Sequence, residues 1–312
     1  MPRLLLFALA LTAFALPGCD AVDSGADTDA PDAAIETADG ASADYKDSKG
    51  RLRVRFDGYS SGTRYRKWHA EDDFDPNVSW ASANDWTSRG TLMQVYSGQL
   101  RFRIPADQTG DGTGGKIRVP LSGRQSNYLQ YDFRFEDGFD FTPPSGGSNG
   151  GKLPGLAGGD GNTGGDPATD GDGWSARLMW RGDKTSNSST ARLYAYVYHK
   201  DQPGTYGQYL DTGFDVRDNT WYTVRMFVKM NQGNSQDGTI RVWLKRRVDS
   251  GFGNSKLSRT NMRWMDNNHT VDEALIQVFN GGSGSKWYLD NTSFIRLDNI
   301  FTCDNSAQCD AL

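Results

Sequence analysis

The stretch Tyr128-Leu-Gln-Tyr-Asp-Phe-Arg-Phe135 puts Leu129, Tyr131, Phe133 and Phe135 on one side of an extended chain. A period of two with one apolar face marks a half-buried strand of an antiparallel sheet. In Thr239-Ile-Arg-Val-Trp-Leu-Lys245, Ile240, Val242 and Leu244 repeat the pattern. Further alternating runs lie at 99–104, 174–180, 193–199, 221–230, 275–279 and 294–300, and clusters of Gly, Asn, Asp and Ser such as 231–238 separate them as turn signals. No long amphipathic helix interrupts the series. Many strands without helices predict an all-β, two-sheet antiparallel sandwich, most simply a single β-jelly roll of concanavalin A type.

The ends of the chain read differently. Arg3 and an apolar run from Leu4 to Leu16 precede Leu-Pro-Gly-Cys19. The run is too short for a permanent membrane span, so residues 1–19 are expected to be a signal peptide. Its ending resembles the lipobox of bacterial lipoproteins, which implies that Cys19 carries lipid and that the protein is exported and membrane-anchored. Residues 20–46 hold eight acidic side chains and no lysine or arginine before Lys46, a composition that cannot bury a core and is expected to form a tether. Of the 34 basic and 39 acidic residues in the chain, those beyond residue 45 number 33 and 31, a balance of +2. The acidity belongs to the tether, and no nucleic-acid footprint remains. Residues 47–312 fit one large β domain, expected to be monomeric. With Cys19 assigned to lipid, Cys303 and Cys309 are left as a pair that an oxidising compartment would close into a disulfide.

Lys152 stands in Gly-Gly-Lys-Leu-Pro-Gly, inside a glycine- and aspartate-rich stretch, 146–173, expected to be a loop. Glycine allows close backbone approach, so this setting suits either a stiff turn or a lysine brought against a ligand. Asp160-Gly-Asn162 and Asp170-Gly-Asp172 carry calcium-type oxygens, yet the closing glutamate of a calcium loop is absent. The expectation is a polar loop, with no metal or other cofactor required.

Alternation places Ser175, Arg177 and Met179 on one face of their strand, and Tyr194, Tyr196 and Tyr198 on one face of theirs. Arginine and lysine pair with carboxylates, and aromatic rings support sugar rings, so the combination points to an acidic polysaccharide.

The runs Phe133-Arg-Phe-Glu-Asp-Gly-Phe-Asp-Phe141, Gly150-Gly-Lys-Leu-Pro-Gly-Leu156, Gly173-Trp-Ser-Ala-Arg-Leu-Met-Trp-Arg181 and Leu193-Tyr-Ala-Tyr-Val-Tyr-His199 resemble the alginate lyases of polysaccharide lyase family 14. They are also similar to the glucuronan lyases of family 20. The resemblance extends over most of residues 90–300, through Phe279-Asn-Gly-Gly-Ser283 and Leu297-Asp-Asn299. It implies a β-jelly roll and catalytic roles for Lys152, Ser175, Arg177, Tyr194 and Tyr196, with Tyr196 and Tyr198 as the alternative tyrosine register. Arg181, Tyr198, His199 and Asn280 are further candidates for substrate binding.

Such an enzyme removes the C5 proton of a uronate and expels the C4 oxygen, leaving an unsaturated sugar. Arg177 and Lys152 would hold the carboxylate while charge builds on it. A tyrosine made acidic by nearby cations serves as base, or Lys152 does if its pKa is depressed. The competing readings are a non-catalytic polysaccharide-binding protein and a glycoside hydrolase. The latter needs paired carboxylates, and the chain's four glutamates, Glu36, Glu71, Glu136 and Glu273, are scattered.

Overall fold

The computed structural model describes residue 47 and residues 51–80, 92–142, 149–169, 171–182, 189–266 and 269–310. The expected signal peptide, Cys19 and the tether lie outside the described residues, as does Asp170. In chain order the strands are β1 (Arg53–Val54), β2 (Ser79–Trp80), β3 (Met93–Tyr96), β4 (Gln99–Ile104), β5 (Gly115–Arg124) and β6 (Ser126–Phe135). They continue as β7 (Gly150–Gly159), β8 (Gly173–Gly182), β9 (Thr190–Tyr198), β10 (Gln208–Arg217) and β11 (Thr220–Lys229). The last are β12 (Gly238–Arg246), β13 (Leu257–Met262), β14 (Val271–Asn280) and β15 (Ser293–Cys303). Among the described residues, α-helix is confined to α1 (Lys67–Asp73) and α2 (Ser306–Asp310).

Two antiparallel sheets form the sandwich. The first runs β13-β12-β11-β6-β15-β4-β3, with β1 paired to β15, and the second runs β10-β9-β8-β7-β14-β5-β2. The apolar side of β6 faces inward as its alternation predicts, with Leu129, Tyr131, Phe133 and Phe135 fully buried. Opposite them, Leu153, Leu156, Trp174, Ala176, Leu178 and Trp180 supply the inner face of the second sheet. Phe135 meets Trp180 edge-on at 5.4 Å between ring centres, which joins the two layers.

The stretch 146–173 is not one loop. Its glycine-rich part, Gly150–Gly159, is the strand β7 at the middle of the second sheet. The glycines are there because neighbouring strands press close: a Cβ on Gly155 would collide with the Ala176 carbonyl and the Arg177 backbone. The register carries one bulge. Leu153 pairs with Leu178 and Gly155 with Arg177, so Pro154 is the extra residue. The bulge sends both Leu153 and Leu156 into the core although they are three apart, and it turns Gly155 toward the face that carries Lys152. Tyr131 of the first sheet donates to the Pro154 carbonyl at 3.0 Å, satisfying a group that the bulge frees from the ladder.

Two further strands escape the alternation rule. β10 is interrupted by a bulge between Asp211 and Phe214, and β13 is an edge strand with four exposed residues in succession.

Candidate active site

Strand register on the outer face of the second sheet arranges the candidates in rows. Phe279, Lys152, Met179 and Tyr194 form one row across β14, β7, β8 and β9. Gly155, Arg177, Tyr196 and Tyr209 form the next, on β7 to β10. Ala157, Ser175 and Tyr198 form the third.

Lys152 is 7% exposed. Its Nζ lies 3.0 Å from the thioether of Met179 and 3.9 Å from the centre of the Tyr196 ring. Burial holds its pKa well below the ordinary lysine value, and the charges of Arg177 and Arg181 lower it further. Thioether and ring face are weak acceptors, so neither restores the cost of charging the amine.

Arg177 is 2% exposed and reaches across the bare Gly155 position, where Nη1 donates to Gln277 Oε1 at 3.0 Å. Its Nε is buried without a partner. Burial lowers its pKa to about 10, so it stays cationic near neutrality, with an unspent donor. Tyr196 lies beneath both cations, with the Arg177 guanidinium 6.0 Å from its ring centre. Burial and the neighbouring phenols Tyr198 and Tyr209 push its pKa up, against a smaller opposing pull from Arg177.

Tyr194 shares the row of Lys152 but is separated from it by Met179, and contacts Tyr209 edge-on at 5.8 Å. Tyr198 accepts from the Gly165 amide at 3.1 Å. Tyr196, whose ring lies under the Lys152 amine, is common to both registers, and Tyr198 and Tyr196 both oppose the fall in the Arg177 pKa. Ser175 is fully buried and donates to the Asn162 carbonyl at 2.6 Å, which commits its proton to the loop after β7. Arg181 shares the outer face, with its guanidinium 5.2 Å from the Tyr209 ring centre.

Two of the expected binding residues lie elsewhere. His199 bonds Gln208 at 2.8 Å, and Gln208 is in register with the core residue Val197, so the imidazole lies on the side opposite the tyrosines. Asn280 pairs with Gly151, out of phase with Lys152, and its amide holds the Trp287 and Gln108 carbonyls at 2.6 and 3.3 Å. It braces the loop after β14.

Gln277, Met179 and Tyr209 join the site without having been singled out as working residues. Gln277 was readable as the one polar side chain in Leu275-Ile-Gln-Val-Phe279, while the other two resemble packing residues until the register is known. Among the described residues no cluster of acidic, histidine or cysteine side chains is arranged to hold a metal ion.

Comparison with known proteins sets this site in a family. A model described as Polysaccharide lyase 14 matches residues 87–300. The structure of alginate lyase Aly36B is 26% identical with a TM-score of 0.66, over 81% of this chain and 96% of that one. A double variant of that enzyme, with a lysine and a methionine replaced by alanine and an alginate trisaccharide bound, is 27% identical with a TM-score of 0.67, over 82% and 99%. The PL-14 alginate lyase from Aplysia kurodai shares the fold at 23% identity and a TM-score of 0.55, over 73% and 87%. A search of curated proteins found no match. Fold, site and family together define a polysaccharide lyase of the alginate-lyase type. The chain belongs to polysaccharide lyase family 14.

Proposed function

We propose that the protein cleaves a polyuronate, mannuronate-rich alginate or glucuronan, by β-elimination, with Lys152 as base. One observation carries this assignment: the buried Lys152 amine lies between a thioether and an aromatic face and is held well below the usual lysine pKa. It can therefore be neutral when substrate arrives. Tyr196, raised rather than lowered, is a poor phenolate and a suitable proton donor. The tyrosine-base alternative needs the opposite shift.

In the proposed reaction, Arg177 uses its free N–H groups on the uronate carboxylate, and Gln277 keeps the guanidinium oriented. Lys152 takes the C5 proton. The C5–H electron pair becomes the C4–C5 double bond, the C4–O4 bond breaks, and Tyr196 protonates the departing oxygen. A proton passing from lysine to tyrosine resets the site. Charge that accumulates on the carboxylate meets donors already in place. Ser175 acts by fastening the loop at Asn162, and Arg181 adds positive potential. The Aly36B complexes support an alginate-like substrate. The variants in those complexes replace a lysine together with a tyrosine or a methionine, the residue types that meet here at Lys152, Tyr196 and Met179.

Export and anchoring through Cys19 belong to the same proposal, supported by the bonded pair Cys303–Cys309, which suits an oxidising compartment. The test is incubation with alginate blocks and glucuronan, monitoring ultraviolet absorbance of the unsaturated product. Saturated products would mean hydrolysis and overturn the mechanism.

A further inference from the structure

We propose that the protein carries a second saccharide site, for an uncharged glycan, on the outer face of the first sheet, behind the catalytic face. A cavity of about 1010 Å³ opens there, at the upper end of the range typical of ligand sites. Its floor follows from strand register: Trp243, Arg225, Gln130 and Phe301 form one row across β12, β11, β6 and β15. Lys245, Thr223, Asp132 and Asp298 form the next.

The floor is built rather than incidental. Arg225, Asp132 and Thr223 are each more than nine-tenths buried. Arg225 donates to Gln130 at 2.9 Å and to Asp310 at 2.6 Å, and lies 4.5 Å from the centre of the Phe252 ring. Asp132 accepts from Thr223 at 2.6 Å and from Asn299 at 2.9 Å. These contacts fix planar amide, carboxylate and guanidinium groups at the cavity wall. Such groups present paired donors and acceptors of the kind that neighbouring sugar hydroxyls require. Trp243 supplies a partly exposed ring, continued by Tyr128 at 6.4 Å and Phe227 at 4.5 Å from Tyr128. The negative faces of these rings attract the polarised C–H groups of a sugar.

Charge selects the class of ligand. Arg55, Arg225, Lys245 and Arg247 line the cavity with Asp57, Asp132, Asp298 and Asp310, four charges of each sign. No positive surplus is left for a chain of carboxylates. The catalytic face, where the cations Arg177 and Arg181 meet no acidic partner among the described residues of the proposed site, is the contrasting case. A neutral glycan held behind would keep the enzyme on a composite polysaccharide matrix while the front face cuts its acidic component.

The proposal does not rest on the cleavage mechanism, and its test reads binding alone. The full chain is titrated calorimetrically with cellohexaose, laminarihexaose and mannohexaose. At least one should bind, and Trp243→Ala and Phe252→Ala should each weaken it roughly tenfold or more. Both variants should keep the melting temperature and polyuronate cleavage of the unaltered protein. The proposal is overturned if no hexaose binds, or if binding survives both substitutions. It is equally overturned if an alginate hexasaccharide, offered to a Lys152→Ala background that cannot cut it, is the ligand that Trp243→Ala weakens.

Discussion

In the proposed reaction Lys152 and Tyr196 divide the chemistry because the same burial acts on them in opposite senses. Removing water favours the neutral amine of the lysine and the neutral phenol of the tyrosine, which suits the one to the proposed role of base and the other to that of acid. Turnover should therefore rise as pH climbs through the depressed Lys152 value and then hold level, since Tyr196 keeps its proton to high pH. A pH–rate profile without that rising limb would remove Lys152 from the role of base. Lys152→Arg puts a permanent cation in place of the neutral amine and supplies no proton acceptor, so it should cost ~10²-fold or more, as should Lys152→Ala. Near-normal cleavage by Lys152→Arg would show that only the charge matters. Tyr196→Phe should cost ~10²-fold, while Tyr194→Phe should stay within a few-fold, because Met179 separates Tyr194 from Lys152 and its ring packs against Tyr209. Equal losses in the two variants would refute this division. That Arg177 and the tyrosines each occupy one face of their strands was legible in the sequence, and the structure places them on the same face as Lys152. The choice of base was not legible, because a pKa depends on how completely neighbours from β7, β8 and β9 exclude water. His199 and Asn280 were misplaced for a related reason: each follows a site residue directly and so alternates away from it.

At the scale of the strand, the bulge at Pro154 brings Lys152 and Arg177 to one face. Unbulged pairing would place Pro154 opposite Arg177 and turn Gly155 inward. The sequence does hold a trace of this, since Leu153 and Leu156 can share the core only if one residue is extra between them. Five glycines in ten residues suggest a loop when read without their neighbours, yet a Cβ on Gly151, Gly155 or Gly158 would collide with a neighbouring strand. Gly155→Val should destabilise the fold by about 1 to 3 kcal/mol, since its side chain must displace the β8 backbone, and should abolish cleavage by moving Arg177. Tyr131→Phe, which contacts nothing on the catalytic face, should cost about 1 to 3 kcal/mol by orphaning the Pro154 carbonyl while leaving turnover per folded molecule largely intact. Denaturant unfolding of both variants beside activity assays checks the pair. A stable, active Gly155→Val protein would mean that the bulge does not position the site.

For the molecule as a whole, the sandwich was legible because alternation reports burial directly, while the way its buried charges balance was not. Asp73 is tied to the hydroxyls of Tyr59 and Tyr65 at 2.8 Å each, and burial nevertheless lifts its pKa to about 6. His69, four residues earlier on α1 and stacked on Tyr65, is driven by burial to about 4. The two groups have opposite linkage to pH. Between about pH 6 and 4 the folded state holds a proton on Asp73 that the unfolded chain releases, so acidification through this window adds stability. Between about pH 6.5 and 4 the unfolded chain protonates His69 while the fold does not, so acidification removes stability. Side by side, they largely cancel, and the N-terminal flank of the sandwich tolerates mild acid. Asp73→Asn removes the compensating member, so its stability deficit relative to the unaltered protein should widen on going from pH 7 to 5, by up to about 2 kcal/mol. His69→Gln should do the reverse, with its deficit shrinking over the same interval. Chemical denaturation of the three proteins at pH 7, 6 and 5 measures both differences. Parallel pH dependences would show that neither group titrates with the burial found here, and that the balance between them plays no part in acid tolerance.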